Sequence, residues 1–220
     1  MPTGRTRESL VQKIVVGPFQ ENTYLVGCPE TGEAAFVDPG DEPERLVQAL
    51  EESGLRLVAI VNTHAHIDHI GAVGPLKRRF GVPFALHRED EPLLDQARVH
   101  AALFGLPAPE RPEVDRYLED GDEVKVGNLV LRVLHVPGHA PGHVAFVGDG
   151  EVFSGDCLFA GSIGRTDLPG ADHETLMRSI REKLLTLGDD VVVRAGHMED
   201  TTIGRERRTN PFLVAGRFSW

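Results

Sequence analysis

Four ionisable side chains crowd into the stretch His64-Ala65-His66-Ile67-Asp68-His69, a few residues after the continuous apolar run Leu57–Val61. A run of that kind reads as a strand buried on both faces, so the cluster sits on the loop that leaves it. Folding three imidazoles and a carboxylate together without a partner would strand several polar groups. Any fold this chain adopts must therefore answer that cluster, and a metal ion answers it most simply. The arrangement recurs. Leu129–Val136 is followed by Pro137-Gly138-His139-Ala140-Pro141-Gly142-His143, Val152–Phe153 by Ser154-Gly155-Asp156-Cys157, and Val191–Val193 by Ala195-Gly196-His197. Ligands on loops held by rigid strands are how a fold assembles a metal site at one edge.

The rest of the chain reads as short β-type runs alternating with amphipathic helical patterns, without internal repeat, low-complexity tract or linker. Ile14–Val16, Thr23–Val26 and Ala34–Val37 form a meander punctuated by Gly, Pro and Asn. Asp41–Pro43 opens a helix with Leu46, Val47 and Leu50 on its apolar face, and Gly54 stops it. Helices are also expected over Ala72–Phe80 and Glu89–Phe104, followed by a connection rich in proline. In the second half Glu123–Val126, Leu129–Val136, Val144–Val147, Val152–Phe153 and Val191–Val193 are strand candidates. Asp172 caps a helix carrying Leu176, Met177, Ile180 and Leu184 and ending at Gly188, and Thr201–Thr209 forms a last helix. Two β-rich halves with helices outside suggest a layered sandwich, α/β or α+β in class. The expectation is one domain over residues 1–220, with 1–12 a loose N-terminal extension.

Imidazole and carboxylate donors suit zinc, iron or manganese, while the scarcity of thiolates argues against a structural zinc knot. The cluster holds too many donors for one tetrahedral ion. The chain would have to kink so that His64 and His66 face one metal while Asp68 and His69 face another. Two further histidines and Asp156, bridging, would complete a pair of divalent ions. Two such cations against two carboxylates leave a net positive site that lowers the pKa of bound water from ~15.7 towards roughly 7. A lone histidine is more often a core or surface residue than a ligand. His87, His100, His135 and His173 are read that way, His143 as a hydrogen-bonding neighbour of the site, and Cys157 as a packed small hydrophobe.

Composition narrows the partners. The chain carries 23 basic and 34 acidic residues, a net charge of −11 with ten neutral histidines, which disfavours binding to phosphate backbones. No apolar run approaches the roughly 20 residues needed to span a bilayer. Met1–Gln12 shows no secretory h-region, and two cysteines cannot form a disulfide framework, so a reducing cytoplasm is the expected setting. The basic runs Lys77-Arg78-Arg79 and Arg205–Arg208 are read as solvated helix faces.

His64-Ala65-His66-Ile67-Asp68-His69 resembles the HxHxDH signature of the metallo-β-lactamase fold superfamily. Val37-Asp38-Pro39-Gly40, Pro137-Gly138-His139, Ser154-Gly155-Asp156 and Gly196-His197 stand in the matching order, and the resemblance runs from about Ile14 to Leu213. It implies a four-layer αββα sandwich with the metals at one edge of the β layers. Gly155-Asp156-Cys157-Leu158-Phe159, Gly164-Arg165-Thr166-Asp167 and Thr201–Arg207 resemble the glyoxalase II-like (hydroxyacylglutathione hydrolase-like) group, especially its short single-domain members. Position by position, the resemblance implies His64, His66 and His139 on a first metal and Asp68, His69 and His197 on a second, with Asp156 bridging. Zinc is expected first, with iron or manganese as alternatives.

The activity implied is hydrolysis of a thioester such as S-lactoylglutathione, by attack of a metal-bound hydroxide on the carbonyl, with Asp68 and Asp156 the carboxylates at the reacting centre. The expected partner is thus a small thioester linked to glutathione, with Arg165 contacting its carboxylate. Full-length glyoxalase II enzymes hold glutathione with a C-terminal helical domain, and the sequence after His197 is short. The group usually has glycine after the final histidine, where this chain has Met198, a bulky side chain expected to narrow the pocket or leave only one metal bound. The alternative is an iron-dependent persulfide dioxygenase using His64, His139 and Asp156. A lactone or ester hydrolase of the same fold is a further alternative.

Overall fold

The computed structural model describes residues 9–214. One six-stranded sheet contains, in spatial order, β1 (Leu10–Val16), β2 (Glu21–Cys28), β3 (Glu33–Val37), β4 (Arg56–Val61), β5 (Phe84–His87) and β6 (Arg116–Leu118). Its first three strands are antiparallel and the rest parallel. The second sheet is built from β7 (Glu123–Val126), β8 (Leu129–His135), β9 (Val144–Val147) and β10 (Glu151–Gly155). After the hairpin β11 (Leu158–Phe159) and β12 (Ser162–Ile163), the chain adds β13 (Val192–Ala195) and β14 (Thr201–Thr202). Its spatial order is β14-β13-β10-β9-β8-β7.

Adjacent residues on the strands feed different cores, which is why their apolar runs are continuous. On β2 and β3, Leu25, Ala34 and Phe36 point outward beneath helices α1 (Pro43–Ser53), α3 (Val73–Phe80) and α4 (Glu91–Leu103). Tyr24, Val26, Ala35 and Val37 point inward, against Val124, Leu131, Val133, Phe146 and Phe153 of the second sheet. The outer face of that sheet, with Ala145, Val152 and Val193, is covered by Leu176, Met177 and Ile180 of α5 (His173–Ser179) and its π-helical extension, and by Ile203 at the start of α6 (Ile203–Thr209). The result is the four-layer αββα sandwich that the resemblance implies.

The local signals act as their chemistry requires. Gly54 takes φ 69° and closes α1 through its N–H to the Glu51 carbonyl, and the Asp172 carboxylate accepts the Thr175 N–H at 2.7 Å to cap α5. Three expectations are corrected. Leu10–Gln12, expected in a loose extension, pair with Leu25–Gly27 as part of β1; residues 1–8 lie outside the described ones. Thr201 and Thr202, expected to be helical, pair with Val193 and Val192, and the Thr202 hydroxyl accepts the Arg205 N–H to cap α6. The helix expected to reach Gly188 ends at Leu184. The basic run of α3 is a solvated face, with Lys77 paired to Asp115, Arg78 to Glu110 and Arg79 to Glu44 and Glu51. No helix among the described residues is long and apolar enough to cross a membrane.

Candidate metal centre

The kink that the cluster requires falls at His66. This residue is extended, at φ −68° and ψ 155°, and caps the single helical turn α2 (Ile67–Ile70), with the His69 N–H bonded to its carbonyl at 3.0 Å. His64 and His66 thus leave an extended segment in one direction, while Asp68 and His69 leave a helical turn in another. His139 and Asp156 arrive from the loops after β8 and β10, and His197 from the loop after β13.

Two donor triads result. Donor atoms of His64, His66 and His139 lie within 4.8 Å of one another, as do those of Asp68, His69 and His197. Asp156 stands between them: one oxygen is 3.5 Å from His69 Nε2, and the other is 3.6 Å from Nε2 of both His139 and His197. All seven expected ligands meet in this one cluster. The donor set fits divalent cations, because His64 Nε2, His69 Nε2 and Asp156 Oδ1 are buried without any protein hydrogen-bond partner.

The other ring nitrogens explain why those atoms face inward. The Thr63 hydroxyl donates to Asp38 at 2.6 Å, so its lone pair is free for His64 Nδ1–H at 3.0 Å. His69 Nδ1 donates to Asp38 at 3.1 Å, and His139 Nδ1 to the Arg165 carbonyl at 2.8 Å. In His64 and His139 the bond leaves Nε2 as the unprotonated donor of a neutral ring, and in His69 it turns Nε2 towards Asp68 and Asp156. His143 hydrogen-bonds beside the site as expected, its Nε2 accepting the Asp156 N–H at 3.1 Å while its ring stacks on His64.

Glycine before histidine is a packing requirement. Gly138 has φ 131°, and a Cβ there would lie 2.2 Å from the Leu176 nitrogen; a Cβ at Gly196 would lie 2.3 Å from Asp156 Oδ1.

The two triads differ electrostatically. Burial holds His64 well below the usual imidazole range, lowers His139 and brings His66 down to about 3, so these rings are neutral. Burial also opposes the charge on His69, but the Asp156 and Asp68 carboxylates overcome it and hold this imidazole well above its usual range. His197 is raised against burial by its bond to Asp68, 3.1 Å away. Asp156 is driven up by burial and, more strongly, down by the His69, His139 and His197 imidazoles, so it remains anionic.

Several structural partners lie far from the motifs. Asp38, legible only as part of a supporting motif, accepts the Thr63 N–H as well as the two contacts above, which marks it as an orienting group rather than a ligand. Asn22 donates its side-chain amide to the carbonyls of Ala195 and Met198, anchoring the loop that carries His197. Asp90 is fully buried and accepts the N–H of Ala65 at 3.0 Å and of Gly142 at 2.6 Å, clamping two ligand loops together. No sequence signal distinguishes Asp90 from its acidic neighbours. Burial pushes its carboxyl up to about 7. The folded chain therefore holds this proton more tightly than the unfolded one, and the group's contribution to stability falls as pH rises from the ordinary carboxylate range to about 7. Asp90→Asn sets an amide NH₂ against a backbone N–H and is expected to lose ~1–3 kcal/mol. Its denaturation should also lack that share of the pH dependence. Wild-type stability in the variant would remove Asp90 as the clamp.

The expectation that Met198 narrows the pocket is corrected. The residue adopts φ 68° and its side chain is 57% exposed, so it borders neither cavity beside the site. The usual glycine reflects this left-handed turn. Relief of ~1–2 kcal/mol of strain, less the ~0.4–1 kcal/mol entropic penalty of glycine, makes Met198→Gly a net stabilisation of roughly 0.5–1 kcal/mol. Urea midpoints check it; an unchanged or lower midpoint contradicts it.

Arg165 borders the cavity at the site, but both Asp167 oxygens hold its guanidinium at 2.7 Å. His100, expected to be structural or at the surface, lines the same cavity. His87 and His135 stack at 4.2 Å with rings 10° from parallel; Nδ1 of His87 accepts the Glu89 N–H and Nε2 of His135 bonds the Pro141 carbonyl. Parallel rings do not aim their lone pairs at one point, so this pair is structural. Cys157 is fully buried in the core under α5, as expected for a packed small hydrophobe.

A sandwich whose strand-end loops bring a three-imidazole triad and a triad of two imidazoles and a carboxylate around an aspartate between them defines a metallohydrolase class of site. The chain belongs to the metallo-beta-lactamase superfamily, matching it over residues 16–197. Within it, the chain is 44% identical to the hydroxyacylglutathione hydrolase GloC of Haemophilus influenzae, over 92% of this chain and 97% of that one. Its fold matches crystal structures of the BLEG-1 B3 metallo-beta-lactamase (TM-score 0.88, 38% identity, 93% of this chain and 100% of that one) and of TTHA1623 in a di-iron-bound form (0.86, 47%, 92% and 100%). It is also 36% identical to the mitochondrial persulfide dioxygenase ETHE1 of Bos taurus, over 87% of this chain and 71% of that one.

Proposed function

We propose that the protein hydrolyses thioesters, with S-lactoylglutathione as the representative substrate, at a centre for two divalent cations. The complete set of seven donors, two triads joined by Asp156, carries this reading. Identity to a hydroxyacylglutathione hydrolase supports the same chemistry. His64, His66 and His139 would hold one cation, and Asp68, His69 and His197 the other, with Asp156 shared. Bound there, the cations would supply an acidified water and electrostatic stabilisation of the developing oxyanion.

The chain's own groups do the rest. Asp38, Thr63 and the Arg165 carbonyl fix the ring tautomers, so donor lone pairs are preorganised. Asp68 and Asp156 are the carboxylates facing the reacting centre. A thiolate departs readily, so no dedicated acid is needed for the leaving group. A substrate carboxylate reaching Arg165 would compete with Asp167 for the guanidinium. Free, buried Cys28 and Cys157 suit the reducing, cytoplasmic setting proposed with this reading.

The second reading, an iron-dependent persulfide dioxygenase, draws on His64, His139 and Asp156 and on the likeness to ETHE1. Metal analysis of the purified protein, paired with S-lactoylglutathione hydrolysis and oxygen uptake on glutathione persulfide, separates the two. Nearly two metals per chain with thioester cleavage is the expected result. One iron per chain with oxygen uptake and no thioester cleavage would replace it with the dioxygenase.

A further inference from the structure

We infer that the acyl group this site takes best is an apolar chain, longer than lactoyl, lying against Phe19, Leu103, Phe104 and Leu168. The inference rests on the thioester-hydrolase reading and adds the substrate class. A cavity of about 340 Å³ opens directly on His66, Asp68, His139 and Asp156, so whatever fills it is attached to the reacting carbon. Away from those four residues and from His100 and Arg165, its wall is apolar, with Phe19 from the β1–β2 turn, Leu103 and Phe104 from the end of α4, and Leu168 from the loop after β12. The Phe19 and Phe104 rings meet edge to face at 5.2 Å.

Two of these side chains are left uncovered by the fold itself: Leu103 is 77% and Phe104 58% exposed, while Leu94, Ala97 and Ala101 of α4 are buried. Large apolar side chains grouped on the rim of a reacting site mark a binding surface. Charge points the same way. Arg165 is the single lysine or arginine among the residues lining this cavity, and Asp167 already holds it. A charged peptide carrier finds no free cation there, and a lactoyl hydroxyl would lie against carbon. An alkyl chain would leave water for that wall and lose no hydrogen bond.

In the reaction, the acyl C–S bond breaks and the water oxygen bonds to the acyl carbon. The sulfur leaves as thiolate and takes up a proton from water, and the acid ionises. The test is kcat/KM of the metal-loaded protein on N-acetylcysteamine thioesters with acetyl, butanoyl and hexanoyl groups. A parallel series keeps acetyl fixed and lengthens the thiol. We expect roughly four-fold per acyl methylene, equivalent to ~0.8 kcal/mol, until the cavity is full, and no such rise in the thiol series. Phe104→Ser should flatten the acyl slope and Phe104→Leu restore it, a ratio measured within each variant. Cleavage with no dependence on acyl length would overturn the inference and leave the thioester reading standing. A slope confined to the thiol series would also overturn it. Failure to cleave any thioester, with metal bound, would overturn both.

Discussion

Asp156→Asn is expected to lower thioester hydrolysis by on the order of 10²–10³-fold, the scale for removing one group that stabilises charge at a reacting centre. The substitution keeps size and shape and deletes one negative charge. Asp156 is 8% exposed, and its Oδ1 has no partner in the protein. The three imidazoles around it keep it anionic in spite of burial. It approaches His69 of one triad and His139 of the other at 3.5 and 3.6 Å, so it stands between both. An amide there offers one oxygen and points an NH₂ at ring nitrogens. Metal content should fall from nearly two per chain towards one, alongside the loss of kcat. Activity within ten-fold of wild type, with both metals retained, would remove Asp156 from the bridging role.

Removing the metals should destabilise the fold by several kcal/mol. A ligand at a thousand times its Kd contributes about 4 kcal/mol, which at this chain length shifts Tm by on the order of 10 °C. Without cations, the buried Nε2 lone pair of neutral His64 is left without a hydrogen-bond partner. The loss should not be symmetrical. In the metal-free chain the neutral triad of His64, His66 and His139 has no proton to displace, whereas His69 and His197 are raised and hold protons against carboxylates. A cation binding to Asp68, His69 and His197 must expel them, so affinity there falls as pH falls, and binding releases protons. The sign reverses in the metal-free protein. There the raised His69 stabilises the fold at low pH, and this contribution is lost as pH rises through its folded pKa. Calorimetric zinc titrations at pH 6 and pH 8 should show the weaker site lost first on acidification. A Tm unchanged by chelation would contradict the whole account.

Much of the layer structure is legible from periodicity. Ala34–Val37 reads as a strand because its neighbours are apolar without alternation, and the structure sends Ala34 and Phe36 to one core and Ala35 and Val37 to another. Phe84–His87 and Arg116–Leu118 escape such a reading, since runs of four and three residues carry too little pattern. Thr201-Thr202 looks helical because it leads into a helix, yet pairing with Val192 and Val193 decides its conformation. Met198 looks like an obstruction from its volume alone; its backbone turn sends the side chain outward.

By itself, the sequence determined which groups could meet, because a polar cluster at the end of a buried strand leaves the chain few alternatives. His64, His66, Asp68 and His69 were readable in that way, and His139, Asp156 and His197 from their places after later strands together with the resemblance. Tertiary structure alone decided what holds them. Asp38 reaches Thr63 and His69 from a neighbouring strand end, and Asp90 bonds both Ala65 and Gly142, the latter fifty-two residues further along the chain. It also decided that Arg165 spends its charge on Asp167 and that Phe104 faces the reacting cavity. Local pattern records which face of an element is apolar; it carries no record of which distant backbone N–H a buried carboxylate will find.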